Sequence, residues 1–169
     1  MERNVTIPLL PTLVIRHRKE NLKKCSLTGL EPREDFTFFR YPLNNLSAEL
    51  NTYCLLGMEG EPLTAEDRHL GLLLVDGTWR YAQKMEKWVL EQCPQITRRT
   101  LSGNWRTAYP RCQSCCPDPE RGLASVEALY AAYNILGYST EGLLDHYHWK
   151  ERFLELSQGK RLAPPSNFE

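Results

Sequence analysis

The sequence predicts a single α/β domain built on a parallel sheet. Three observations carry that expectation. LGLLLVD (70–76) is apolar with no polar alternation, the mark of a strand covered on both faces. It runs through Gly77 and Thr78 into a segment where Trp79, Ala82, Met85 and Val89 recur at helical spacing, so a strand leads directly into a helix as in a βα unit. At 169 residues and 41% hydrophobic content, the chain suits one sizeable core.

The other elements follow in chain order. TLVIR, around Val14 and Ile15, is a short β-type run, and the polar, charged HRKENLKK after it predicts an exposed loop. DFTFFRYP (35–42) is aromatic and β-branched and closes on proline, which predicts a second strand ending near Tyr41. NLSAELNTYCLL (45–56) reads as a short helix. The strand at 70–76 is expected at the centre of the sheet, and Pro94 stops the helix that follows it. Residues 97–124 are irregular and rich in arginine, glycine, proline and cysteine, with room for short strands around Thr100 and Ala108. Val126, Leu129, Tyr130, Tyr133 and Leu136 form one stripe of a later helix, ended by Gly137 in a left-handed cap. Ser139 is placed to cap a last helix reaching about Leu156. Residues 1–160 are expected to form the domain and 161–169 a flexible tail.

Charge and composition narrow the function classes. Lys and Arg number 21 and Asp and Glu 21, so there is no global basic field to draw the chain onto nucleic acid, and an RNA partner must be held by a local patch. Apolar runs fall short of the ~18 residues of a membrane span, and no signal peptide is evident. The six cysteines are scattered, so reduced thiols in a cytoplasmic protein are expected, with neither membrane nor DNA as partner.

Asp76, Gly77, Thr78 and Trp79 stand at the carboxyl end of the covered strand, where ligands bind in open α/β sheets. The carboxylate offers an acceptor, the glycine a close backbone approach, and the indole a flat face for a base. A helix N-cap beside a buried tryptophan reads equally well. Gly122 and Ser125 precede or open the late helix, whose free N–H groups attract an anion; Glu127 in the first turn is equally a favourable charge on the helix dipole. In KKCSLTG (23–29), two hydroxyls and a glycine follow a basic pair, as in a ligand loop or a simple turn. CQSCC (112–116) is half of a zinc site without a second pair at ordinary spacing. Cys93, His146 and His148 would have to converge from afar, so no metal is expected. Arg98, Arg99, Arg106, Arg111 and Arg121 interleave with Trp105 and Tyr109, the composition of a surface for looped RNA. Arg16, Arg18, Lys19, Lys23 and Lys24 extend it.

These segments together resemble a known family. LVDGTWRYAQKM resembles the signature of the DTW-domain proteins. KKCSLTGL, PLTAEDRHLGLLLVDGTW and GLASVEALYAAYNILGY, in that order, are similar to the related small-subunit rRNA aminocarboxypropyltransferases of ribosome biogenesis, the two groups forming the TDD superfamily. The match spans roughly residues 12–138. RTAYPRCQSCCPDPERG departs from the Asn-Tyr-Gly-containing stretch usual before the late helix in the rRNA enzymes.

The resemblance implies a SPOUT-like α/β fold with a C-terminal trefoil knot, an exception to the general absence of knots. It also implies binding of S-adenosylmethionine (SAM) and transfer of its 3-amino-3-carboxypropyl group to a uridine-type base in structured RNA, rRNA or tRNA, with release of 5′-methylthioadenosine. Matched position by position, it assigns cofactor contacts to Ser26, Tyr41, Pro42 and Thr78, and to Trp79, Leu101, Leu123 and Ser125. Adenine is expected against Trp79, Pro42 and Leu101, and the methionine carboxylate near Ser125 and Ser26. Asp76 is the expected proton acceptor, with Glu127 the next candidate. RNA contacts fall to Arg16, Arg18, Lys23 and Lys24 and to Arg98, Arg99, Arg106 and Arg111. An RNA methyltransferase of the same broad fold and a non-enzymatic RNA-binding assembly factor remain as alternatives.

Overall fold

The computed structural model describes residues 7–46, 49–103, 105–109 and 122–161, with side chains to 157. Five parallel strands make one sheet: β1 (Thr12–His17), β2 (Phe36–Tyr41), β3 (Tyr53–Pro62), β4 (Gly71–Asp76) and β5 (Thr97–Thr100), in the order β2-β1-β4-β3-β5. Among the described residues three α-helices accompany it: α1 (Trp79–Gln92), α2 (Ser125–Leu136) and α3 (Lys150–Arg161).

Strand periodicity sorts the core into two layers. Leu13, Ile15, Leu55, Leu73 and Val75 pack with Met85 and Val89 of α1, while Val14, Cys54, Leu56, Leu72 and Leu74 pack with α2 and with Phe153 of α3. Every residue of β4 is buried, as its unbroken apolar run requires, and it is the middle strand. Alternation also sets the polar ends: Arg16 and Asp76 point toward the α2 face, and His17 points toward α1, where its ring stacks on Tyr81 at 3.8 Å.

Gly77 joins β4 to α1. A Cβ there would stand 2.9 Å from the Met85 methyl and 3.3 Å from His17 Cβ, so glycine is what allows α1 to turn back tightly over the sheet. Gly137 ends α2 in the left-handed conformation (φ 78°), as its position in the sequence predicts.

Three expected elements differ. The helix expected over 45–56 is a 3-10 turn at Leu50–Thr52 followed by β3, because the buried run Tyr53, Cys54, Leu55 and Leu56 is too short for its pattern to separate strand from helix. No strand forms at Ala108; its N–H is taken by a side chain instead of a ladder. The last helix begins at Lys150 and not at Ser139, because Gly142 adopts φ 81° and residues 141–149 run as consecutive turns that bury Leu143, Leu144 and Tyr147. The expected tail, Arg161 aside, lies outside the described residues, as does the CQSCC cluster.

Candidate active site

Asp76 organises the carboxyl ends of the central strands. In the parallel pairing Arg16 of β1 is the register partner of Asp76 of β4, which sets the two side chains next to each other on one face. Arg16 Nε donates to Asp76 Oδ2 at 3.3 Å, and Cys25 Sγ donates to the same oxygen at 3.0 Å. Ser125 Oγ donates to Oδ1 at 2.8 Å. The residue is only 4% exposed, yet its carboxylate has a cation and two further donors, so the burial is compensated.

Burial pushes the Cys25 thiol up to about 12, with the charge of Asp76 and the bond to it adding to the effect, so this sulfur stays a protonated donor at neutral pH. Glu20 lies beside the pair, and burial followed by the charge of Asp76 raises its carboxyl above the usual range. Ligand atoms of Glu20, Cys25 and Asp76 lie within 4.8 Å of one another. Within this group Arg16 and the protonated Cys25 thiol both bond Asp76, and Glu20 stands next to them.

The start of α2 is held by three contacts, two of them from outside the helix. Ala124 occupies the N-cap position and has no side-chain acceptor to offer. Ser26, from the loop after β1, supplies it: its Oγ accepts the Val126 N–H at 3.1 Å. Glu127 accepts the Ala124 N–H at 2.8 Å, and the Ser125 hydroxyl bonds Asp76. KKCSLTG therefore contributes both Cys25 to the carboxylate and Ser26 to the helix, a pairing its reading as a simple turn would miss.

Beside this cluster opens a cleft with about 1010 Å³ of non-protein space, its mouth included. Its walls come from the middle of β3 (Leu56, Gly57, Met58), from the ends of β4 (Leu74, Val75) and β5 (Thr100, Leu101), from Trp79, Ala82 and Glu86 at one side of α1, and from Leu123, Ser125 and Ala128 at the start of α2. Trp105 closes it, packed edge-on against Tyr130 at 6.2 Å and stacked with Phe153 at 6.1 Å. A mostly apolar cleft at strand carboxyl ends, with a helix N-terminus and a hydroxyl at one side, is the setting of a small-molecule site. Asp76 lies just behind the wall, between Val75 and Gly77, which both line it.

Of the cofactor contacts expected from the sequence, Trp79, Leu101, Leu123 and Ser125 converge on the cleft, and Ser26 bonds the N–H of Val126, the residue after Ser125. Tyr41 and Pro42 do not. They stand at the end of β2, the sheet's edge strand, and Tyr41 packs on His17 and Trp88 on the α1 side; Leu56 and Met58 of β3 supply the wall expected from them. Thr78 is exposed at the N-cap of α1 and makes no side-chain cap bond. The sequence reading missed Leu56 and Met58 because it took the start of β3 for a helix; the unbroken YCLL was the signal available. Glu86 was legible only as the next turn of the stripe that carries Trp79 and Ala82.

Glu127, the second candidate base, is fully buried. Its Oε1 accepts from Thr107 Oγ at 2.6 Å and from the Ala124 N–H, and its Oε2 from the Ala108 N–H and the Tyr147 hydroxyl, each at 2.8 Å. Four donors occupy its lone pairs, two on each oxygen.

The expected basic surface divides. Arg16 is tied to Asp76 and Glu31, Arg98 to Glu59 and Glu86, and Arg99 to Asp67, so these three are held in ion pairs. Trp105 likewise faces inward. Arg18, Lys23, Lys24 and Arg106 are exposed, and the Tyr109 hydroxyl donates to the Lys24 carbonyl at 3.1 Å, which brings the loops after β1 and β5 together. Arg111 lies outside the described residues.

Neither a family model nor a curated protein sequence matches the chain. Among solved structures, the SAM-dependent rRNA:acp-transferase Tsr3 from Vulcanisaeta distributa is similar, with a TM-score of 0.64 at 21% sequence identity over 89% of this chain and 80% of that one. The fold is therefore Tsr3-like: one α/β domain on a five-stranded parallel sheet.

Proposed function

We propose that this protein is a SAM-dependent 3-amino-3-carboxypropyltransferase acting on a uridine-type base in structured RNA, within a SPOUT-like, C-terminally knotted fold. The observation that carries the reading is the junction of an apolar, tryptophan-walled cleft with a carboxylate that is bonded to the first residue of α2. The sequence motifs and the Tsr3-like fold support it.

The residues fit SAM in parts. Trp79, Leu101, Leu123, Leu56 and Met58 offer flat and apolar surface for adenine. The start of α2, with Ser125 in the wall, favours the methionine carboxylate. Bound there, SAM would supply an electrophilic carbon on its sulfonium: the base nitrogen bonds to the carboxypropyl carbon, the C–S bond breaks, and 5′-methylthioadenosine leaves. Which of the three S–C carbons reacts is a matter of which one faces the nucleophile.

The chain's own part is to take the proton. An imide nitrogen attacks well only after losing its hydrogen, and Asp76 is the acceptor. Oδ2 already holds two donors, whereas Oδ1 holds only Ser125, so Oδ1 keeps a lone-pair site for the incoming proton. RNA is held outside the cleft by Arg18, Lys23, Lys24 and Arg106.

Incubation of the protein with labelled SAM and total RNA, followed by nucleoside mass spectrometry, tests the proposal. An aminocarboxypropyl nucleoside with stoichiometric methylthioadenosine is the expected result. S-adenosylhomocysteine and a methylated base would replace it with a methyltransferase, and absence of SAM binding would leave an RNA-binding factor.

A further inference from the structure

We infer that Glu127 is a positioning residue, a buried latch that holds the Trp105 wall of the cleft against the start of α2. The inference rests on the proposed SAM site for its consequence and on the hydrogen-bond geometry for its substance.

β5 and α2 are joined by a long connection, and Glu127 grips both of its ends. On the β5 side it takes the Thr107 hydroxyl and the Ala108 N–H; on the α2 side it takes the Ala124 N–H. A fourth donor, Tyr147, comes from the turns before α3. The segment thereby fixed, 105–109, begins with Trp105, and the helix start carries Leu123 and Ser125; all three line the cleft. Thr107 Oγ also accepts the Tyr109 N–H at 3.0 Å, so the latch extends to the tyrosine that meets Lys24.

The pattern of donors explains why this position needs a carboxylate. Each oxygen faces one hydroxyl and one backbone N–H: Oε1 has Thr107 and Ala124, Oε2 has Tyr147 and Ala108. A hydroxyl can rotate and become an acceptor, but a backbone N–H cannot. Glutamine has one acceptor end only. Its amide nitrogen must therefore meet either the Ala108 N–H, which releases the loop, or the Ala124 N–H, which uncaps the helix, and a buried donor is left unsatisfied in both cases. A carboxylate alone satisfies the two ends of the connection together. This separates Glu127 from a dipole-favouring acid, for which glutamine would be a mild change.

The test compares the wild type with Glu127→Gln, Thr107→Val and Tyr147→Phe. Hydrogen exchange is read over residues 105–109 and over α2, without ligand, alongside SAM affinity by calorimetry and transfer kinetics. Glu127→Gln and Thr107→Val are expected to speed exchange in 105–109 and to weaken SAM binding by about tenfold, equal to ~1.4 kcal/mol. The KM for SAM rises while kcat at saturation is retained, the pattern of impaired binding geometry. Tyr147→Phe keeps both N–H bonds and leaves exchange in 105–109 at the wild-type rate. Wild-type exchange in 105–109 for a folded Glu127→Gln, or an equal effect from Tyr147→Phe, overturns the latch. If Glu127→Gln does not fold, Thr107→Val decides the matter by the same two readouts. If the wild type binds no SAM, the proposed function fails, while the ligand-free exchange still decides the latch.

Discussion

The Ser125 hydroxyl donates to Asp76 Oδ1 across 2.8 Å, joining the first residue of α2 to the last residue of β4. Other residues perform the capping at this helix start. Ser26 takes the Val126 N–H and Glu127 the Ala124 N–H. The carboxylate is thereby aimed from the cleft side by a serine and from behind by Cys25 and Arg16.

Asp76→Asn keeps the shape of the side chain and removes its charge. General-base catalysis contributes about 10²–10⁴-fold, so single-turnover transfer should fall by that factor while SAM affinity stays within about threefold. Wild-type transfer by a variant with a lowered melting temperature would make Asp76 a structural partner of Arg16 only.

Trp79→Ala removes the flat face at the α1 wall. An aromatic stacked on a base is worth about 1–3 kcal/mol, so calorimetry on the folded variant should show SAM affinity weakened by that amount. Unchanged affinity together with lower stability would place Trp79 in the core and not against adenine.

Much of this arrangement can be read from the sequence, and the rest is hidden for identifiable reasons. β4, α1, α2 and the Gly137 cap were legible because each shows one period or one conformational demand. β3 was not, because its apolar run is only the four residues YCLL, and a run that short suits helix and strand alike. At the site, Asp76, Trp79 and Ser125 stand at element ends and could be found. Cys25 could not be singled out, since its role comes from a register that pairs Arg16 with Asp76 across 60 residues of sequence. The ion pairs of Arg98 and Arg99 were equally invisible, as composition counts charges without showing which are already matched.

Ser26→Ala tests the borrowed cap. Loss of an N-cap acceptor costs about 0.5–2 kcal/mol. At roughly 2–4 °C per kcal/mol for a domain of this size, the melting temperature should drop by several degrees. Ser26→Thr should recover most of the loss, and an unchanged melting temperature for the alanine variant would show that the Val126 N–H finds water instead.

The buried thiols give a pH dependence of definite sign. Burial raises both Cys25 and Cys54 from 9.0 to about 12. Above pH ~9 the unfolded chain loses these protons while the folded chain keeps them, so their contribution is full below pH ~9 and is lost as pH rises toward 12. Cys54→Ala should flatten the alkaline fall of the melting temperature relative to wild type. Peptide mapping after iodoacetamide at pH ~9.5 should find Cys25 and Cys54 unmodified in folded protein, since alkylation needs the thiolate. Rapid labelling of either without unfolding would contradict their placement.

Charge reversal separates the exposed basic loops from the internal pairs. Lys23→Glu, Lys24→Glu and Arg106→Glu change side chains that face water, so the fold should be unaffected while RNA binding weakens across sequences. For every cation withdrawn from a phosphate, the slope of log affinity against log salt should shrink by about 0.7–0.9. Arg99→Ala should behave oppositely: it removes the cation from Asp67, itself 6% exposed, and leaves the Thr64 N–H to hold a buried charge. That costs on the order of 1–3 kcal/mol of stability, with the salt slope unchanged. Filter-binding titrations over a range of salt, paired with thermal melts, read both quantities on the same preparations. A salt slope that drops for Arg99→Ala as much as for Lys24→Glu, in a variant of wild-type stability, would return Arg99 to the RNA surface; wild-type slopes for all three exposed variants would remove that surface altogether.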